Sequence, residues 1–264
     1  MKIENNKITF IEEKDYDNLF IPKNVDGIAE EEYAIGFAAI TPKTITVEEG
    51  NTAFYGKNNC LIERATKTLI IAGERATIPD DGSVDIIADC AFNGNRTLTT
   101  EFVIPEGVEE IGQMAFKDTN IEKIIIPSSV EVIGSLAFWC ADKTLKEIVV
   151  DKSNSHFYVE SNCLIFSDAL QLDEDGFMTN EVKIVISILN RNAREVVIPK
   201  DVAYIGRGTF FLTDFERVYL PKNITILPQN FGISEEHGNM SNRDEKFEEF
   251  CKEHNVVYGY DKNE

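Results

Sequence analysis

The sequence predicts a right-handed solenoid of α/β type. It would hold one mainly parallel β-sheet, short irregular or helical return segments, hairpin inserts and a C-terminal cap helix. Three observations predict it. A pattern I-P-x-x-V-x-x-I-G-x-x-A-F runs from Ile104 to Phe116 and returns 22 residues later from Ile126 to Phe138. It recurs from Ile198 to Phe210, with degraded copies at Ile21-Pro22, Ile78-Pro79 and Leu220-Pro221. A longer block, Ile45 to Ile62, matches Ile148 to Ile165 at nine of 18 positions, at an offset of 103. Fixed-period self-similarity of this kind is the mark of a repeat array, whose units bury their apolar faces only by stacking.

Residues 1–14 read as an N-terminal cap. Within each coil, the residues before Ile-Pro form a short strand whose alternate side chains face opposite sides. Ile78, Ile104, Ile126, Val150, Ile198 and Leu220 then form an inward ladder. Proline lacks an N–H and ends the strand. The glycine after the second isoleucine permits a bend or a close backbone contact. Phe92, Phe116, Phe138 and Phe210 are expected in the core beneath the return segments. Repeats extend over residues 15–231. An acidic insertion, Asp168 to Glu181, interrupts them after the second long block. Arg243 to His254 reads as an amphipathic cap helix and Val256-Val257-Tyr258 as a last strand, so 240–260 form the C-terminal cap. No linker is visible, and residues 1–264 are expected to form a single domain.

The repeat resembles the BspA-like, or Treponema pallidum-type, leucine-rich repeat family, with the pattern L-x-x-I-x-I-P-x-x-V-x-x-I-G-x-x-A-F-x-x-C. The best matches are Ile121 to Phe138 and Ile104 to Phe116. The N-x-x-F-Y-x-x-x-N-C-L-I block resembles the hairpin-forming insert of that family. The closing cysteine is mostly missing, with Cys140 only near its place. The resemblance implies a leucine-rich repeat array used for adhesion or recognition at a cell surface.

The chain has 26 Lys and Arg against 46 Asp and Glu, a formal charge of −20. A nucleic-acid partner needs a basic surface and is not expected. No apolar run reaches the roughly 18 residues of a membrane span, so no membrane insertion is expected. Cytoplasm is expected if Met1 is the native start; the cell surface or exterior, which the resemblance favours, if an export segment was removed. The five cysteines show no metal spacing and are expected as free thiols. His156, His237 and His254 read as solvated, and the cluster Asp168, Asp173, Glu174 and Asp175 as a solvated loop. Sequons stand at Asn95, Asn223 and Asn239. No nucleotide, nucleophile-elbow or zinc motif occurs, so neither catalytic residues, metal ligands nor cofactors are expected. A monomer is the favoured state.

The functional expectation is a non-enzymatic scaffold binding a protein or glycan through the open strand face. A spacer module of a larger bacterial surface protein is the alternative, and an enzyme with an unrecognised site the third. The position before each anchor faces outward and gives Phe20, Thr46, Thr77, Val103, Ile125, Val149, Val197 and Tyr219. A charged row runs beside it through Glu101, Lys123, Glu147, Glu195 and Arg217. The candidate binding residues are therefore Phe20, Val103, Ile125, Val149, Val197, Tyr219, Lys123 and Arg217. An apolar stripe rimmed by charge suits a docking surface. Strand propensity alone would also place Val, Ile and Thr there, and a hairpin insert could cover them.

Overall fold

A computed structural model describes residues 1–11, 15–29, 40–139, 144–172, 178–189, 193–206, 209–210, 215–222, 224, 252 and 256–259, with backbone alone at 170–172 and 178–181. The chain forms two compact units, Met1–Thr144 and Leu145–Glu264.

The first unit opens with strands β1 (Lys2–Glu4) and β2 (Lys7–Phe10), an antiparallel hairpin. Asn5 and Asn6, with φ of 49° and 61°, make its turn. Next come β3 (Asn18–Ile21), β4 (Gly27–Ile28) and β5 (Thr44–Val47). β2 pairs with β4, and β3 with β5, both in parallel. The first long block continues through β6 (Phe54–Lys57), β7 (Cys60–Glu63) and β8 (Thr68–Ala72). β6–β7 is a hairpin turning at Asn58 and Asn59, φ 50° and 60°, the two positive values that a twisted two-residue turn requires.

Beyond it the coils repeat: β9 (Ile86–Ile87), β10 (Glu101–Val103), β11 (Glu110–Ile111), β12 (Lys123–Ile126) and β13 (Val132–Ile133). β10 and β12 pair in parallel on the face of the predicted ladder. β9, β11 and β13 form a second parallel ladder, built from the Ile of the Ile-Gly step. β8 joins that second ladder beside β9 and carries the hairpin with it. The hairpin insert thus extends the second sheet.

This corrects the expectation of one parallel sheet with helical returns. The coils at β10–β11, β12–β13 and β18–β19 each use two short strands, and no strand forms at Ile78. Helix is nearly absent among the described residues. The reason lies in the Ala-Phe segments. Cys90, Phe92 and Gly94 donate their N–H groups to Gln113, Ala115 and Lys117 of the next coil, at 2.8–2.9 Å. Met114, Phe116 and Asp118 do the same to Ser135, Ala137 and Trp139. The N–H groups between them close local turns, as Asn93 does to Cys90 at 2.9 Å. Alternate donors directed sideways leave none for an i→i−4 helix. Cys90, Met114 and Leu136, with φ between 54° and 58°, hold the chain in this zigzag.

Glycine in the Ile-Gly step serves close approach. A Cβ on Gly112 would lie 2.5 Å from the Asp89 nitrogen, and one on Gly134 would crowd Gln113 in the same way. The core beneath is apolar. Ile21, Ile78, Ile104 and Ile126 are buried, as expected, and so are Phe92, Phe116 and Phe138. Asn95, with 0% exposure, donates to the Gly73 carbonyl at 2.8 Å and accepts the Thr97 N–H at 3.1 Å. That sequon is a buried structural amide.

The second unit holds β14 (Glu147–Val150), β15 (Phe157–Glu160), β16 (Cys163–Leu172), β17 (Met178–Ile188), β18 (Glu195–Val197), β19 (Val202–Ile205), β20 (Arg217–Leu220) and β21 (Val256–Tyr258). β15, β16 and β17 are antiparallel neighbours, and β17 pairs in parallel with β19. β18, β20 and β21 form a parallel sheet, so the expected last strand is present. Ile198, Leu220 and Phe210 are buried here, as expected. Val150, expected in the inward ladder, is only half-buried, as is its counterpart Val47, and it lines a cavity between β14 and β15.

The two long blocks share one framework. Asn51 Oδ1 accepts the N–H groups of Ala53 and Phe54 at 2.9 and 2.7 Å. Asn154 Oδ1 accepts those of His156 and Phe157 at the same two distances. His156 is half-buried, with Nδ1 2.5 Å from Asp168 Oδ2, which corrects the solvated reading of both. The predicted helix Arg243–His254 lies outside the described residues, apart from Lys252. Cys140, Asp173 to Gly176, Asn223, Phe231, His237, Asn239, Cys251 and His254 lie outside them as well.

Candidate binding surface

Strand alternation puts one row of each coil in the core and the next row outside. In the first unit, Leu19 and Ile21 are buried while Phe20, between them, is 44% exposed. Phe20 stands in register with exposed Thr46, and Asn18 with Thr44. Asn18 Oδ1 accepts both threonine hydroxyls, at 3.0 and 3.1 Å. On the next pair, Val103 is 56% exposed and lies opposite half-buried Ile125. Lys123 lies opposite Glu101, with Nζ 3.8 Å from Oε2. The structure therefore brings Val103, Ile125 and Lys123 together, and sets Phe20 on a separate two-stranded sheet.

In the second unit, Val197 lies opposite Tyr219, and both are half-buried. Exposed Arg217 lies opposite Glu195 at 3.8 Å. Arg217 Nη1 also donates to the Tyr219 hydroxyl at 3.3 Å, which fixes the ring edge. Val149 is half-buried on β14, against β15. One outward residue escaped the sequence reading. Val257 stands in register with Tyr219 and continues the row onto β21. Its signal was the second valine of the last strand, in the same outward position as Val197.

The charged row is neutralised sideways. Glu101–Lys123 and Glu195–Arg217 are cross-strand pairs of opposite sign, the sheet counterpart of helical ion pairs. Glu101, Glu195 and Arg217 are exposed and Lys123 half-buried, so the pairs contribute little to stability. Among the described residues, no three His, Cys, Asp or Glu side chains converge to hold a metal ion. Burial pushes the Cys60 and Cys163 thiols up to about 12.

The chain matches the family model of the BspA type leucine rich repeat region in six copies, over residues 73–185 and 187–232, and it belongs to that family. No match was found among curated proteins. Solved structures resemble it at low identity. A leucine-rich repeat protein from Eubacterium ventriosum has 18% identity and a TM-score of 0.48, over 85% of this chain and 63% of that one. A leucine rich cell surface protein from Faecalibacterium prausnitzii has 20% identity and a TM-score of 0.47, over 78% and 55%. The pneumococcal vaccine antigen PcpA has 19% identity and a TM-score of 0.44, over 80% and 46%. The chain thus spans about half to two thirds of the length of the structures it resembles.

Proposed function

We propose that the chain is a non-enzymatic recognition scaffold that engages a protein or glycan through its outward rows. One observation supports this most. The apolar outward residues are exposed or half-buried in both units, while the flanking charges pair with each other. Lateral pairing neutralises the charges beside Val103 and Ile125, and apolar area rimmed by charge suits docking. Changing Ile125 and Tyr219 together to serine tests it. Circular dichroism and melting should stay near wild type, while capture from host and bacterial lysates is lost. Unfolding of the double variant, or undiminished capture, sinks the reading.

A cell-surface location belongs to the same proposal and is checked by protease shaving of intact cells. A spacer role within a longer protein is the second reading, favoured by the partial coverage of the similar structures. Retained function of a longer chain carrying the double serine variant would support it.

A further inference from the structure

The two long blocks differ most tellingly at one place. In the first, Gly56 faces β5, and a Cβ there would stand 3.6 Å from both the Ile45 oxygen and Val47 Cγ2. The aligned residue in the second block is Val159, whose γ-methyls reach beyond that point. Val159 instead lines the space between β14 and β15. A cavity of about 340 Å³ opens between the strands, within the range of small-molecule sites. Val149, Val150 and Val159 give it apolar walls, and Asp151 and Lys152 line it from the turn.

Two more exchanges fall here. Thr46 is replaced by Val149 and Glu49 by Lys152, so the second copy is more apolar and more positive at these two positions, while Lys57 gives way to Glu160 farther along β15. Asp151 Oδ1 is tied to its own turn, accepting the Ser153 N–H at 2.8 Å. Lys152 is exposed and makes no ion pair among the described residues. Lys43, Lys57, Lys67, Lys123 and Lys183 by contrast each pair with a carboxylate. An uncommitted ammonium thus stands at the mouth of a small valine-lined cavity.

We propose that this cavity binds a small aliphatic carboxylate, its chain among Val149, Val150 and Val159 and its carboxylate on Lys152 Nζ. The site shares Val149 with the outward row of β14 and goes beyond the scaffold function. Burial of the chain supplies most of the affinity, since apolar area removed from water is the larger contribution. The exposed ion pair is weak and decides between anion and cation.

The test uses the full chain with labelled valine methyls, titrated with octanoate and separately with octylammonium, both below their micelle concentrations. Octanoate should shift Val149, Val150 and Val159 saturably, and bind about fivefold more tightly than octylammonium. Lys152→Glu, the residue of the first copy, should reverse that order. Val159→Gly, again the first copy's residue and one this framework accommodates, should weaken both probes by about tenfold or more. Unsaturable shifts spread over valines throughout the chain would overturn the proposal, as a detergent effect. An order unchanged in Lys152→Glu, or full binding in Val159→Gly, would overturn it equally.

Discussion

Phe92 and Phe116 stack one coil apart, their ring centroids 4.8 Å from each other and their planes 13° apart. Phe138 continues the stack 5.9 Å beyond Phe116, and Phe102 meets Phe92 and Phe116 edge-on at 5.5 and 5.4 Å. Phe116 is therefore held on three sides by rings. Phe116→Ala should cost about 3–5 kcal/mol, the range for an emptied aromatic core site. Urea denaturation measures it, and a cost below about 1 kcal/mol would contradict this packing.

Gly134→Ala should destabilise although alanine is a small residue. The new Cβ meets the Gln113 backbone of the neighbouring coil, which cannot rotate aside. A loss of about 1–3 kcal/mol is expected, as for overpacking. Gly82→Ala is a useful comparison, since a Cβ there meets nothing within 4 Å and only its φ of 75° opposes it. If the two variants melt alike, coil spacing is not what the Ile-Gly glycine protects.

Acid should weaken the first unit. Lys57 and Ser83 hold the Asp81 carboxyl at about 2, and the hydroxyl and backbone groups of Ser128 and Ser129 hold Glu106 below the usual carboxylate range. A depressed folded-state value means that the folded form releases the proton more readily than the unfolded chain. Its stabilisation is present above the ordinary carboxylate range and is lost as pH falls toward about 2. Asp81→Asn with Glu106→Gln should therefore flatten the acid limb of a melting profile. An unchanged limb would show that neither contact matters.

Alkali acts through the thiols with the opposite sign. Cys60 and Cys163 lie up at about 12 because burial penalises the thiolate. Unfolding exposes thiols that ionise near 9, so stability falls as pH rises from there toward about 12. At neutral pH the same burial predicts very slow alkylation of both by iodoacetamide, with half-buried Cys90 reacting ahead of them. Mass spectrometry of native protein over time reads this order directly. Cys60, Cys90 and Cys163 are free thiols in the structure.

The coil was legible because its determinants are local in sequence. Ile104, Ile126, Phe116 and Gly134 recur at a fixed period, and each does the same work in every coil. The second ladder was not legible. β9 and β11 are two residues each, and their hydrogen bonds run to a neighbouring coil, so no run of the chain announces them. The return segments deceived for a related reason: Cys90, Met114 and Leu136 adopt positive φ without being glycine. The outward positions of Val103, Ile125 and Tyr219 followed from alternation. The cavity beside Val159 did not, since side chains of β14, the turn after it and β15 line it together. The identity count treated the Gly56–Val159 exchange as one mismatch among nine.

Asn95 has a practical consequence for making this protein. Its side-chain amide is fully buried and clamps the Gly73 carbonyl, yet Asn95-Arg96-Thr97 is an acceptor sequence for oligosaccharide transfer. In a eukaryotic secretory host, the sugar would be attached while the chain is still extended. A glycosylated Asn95 could not then enter its slot, and those molecules would be retained as misfolded product. Bacterial cytoplasm avoids the conflict. A preparation secreted from mammalian or yeast cells would need Thr97 replaced, at the cost of the hydroxyl that donates to Asn95 Oδ1 at 2.8 Å.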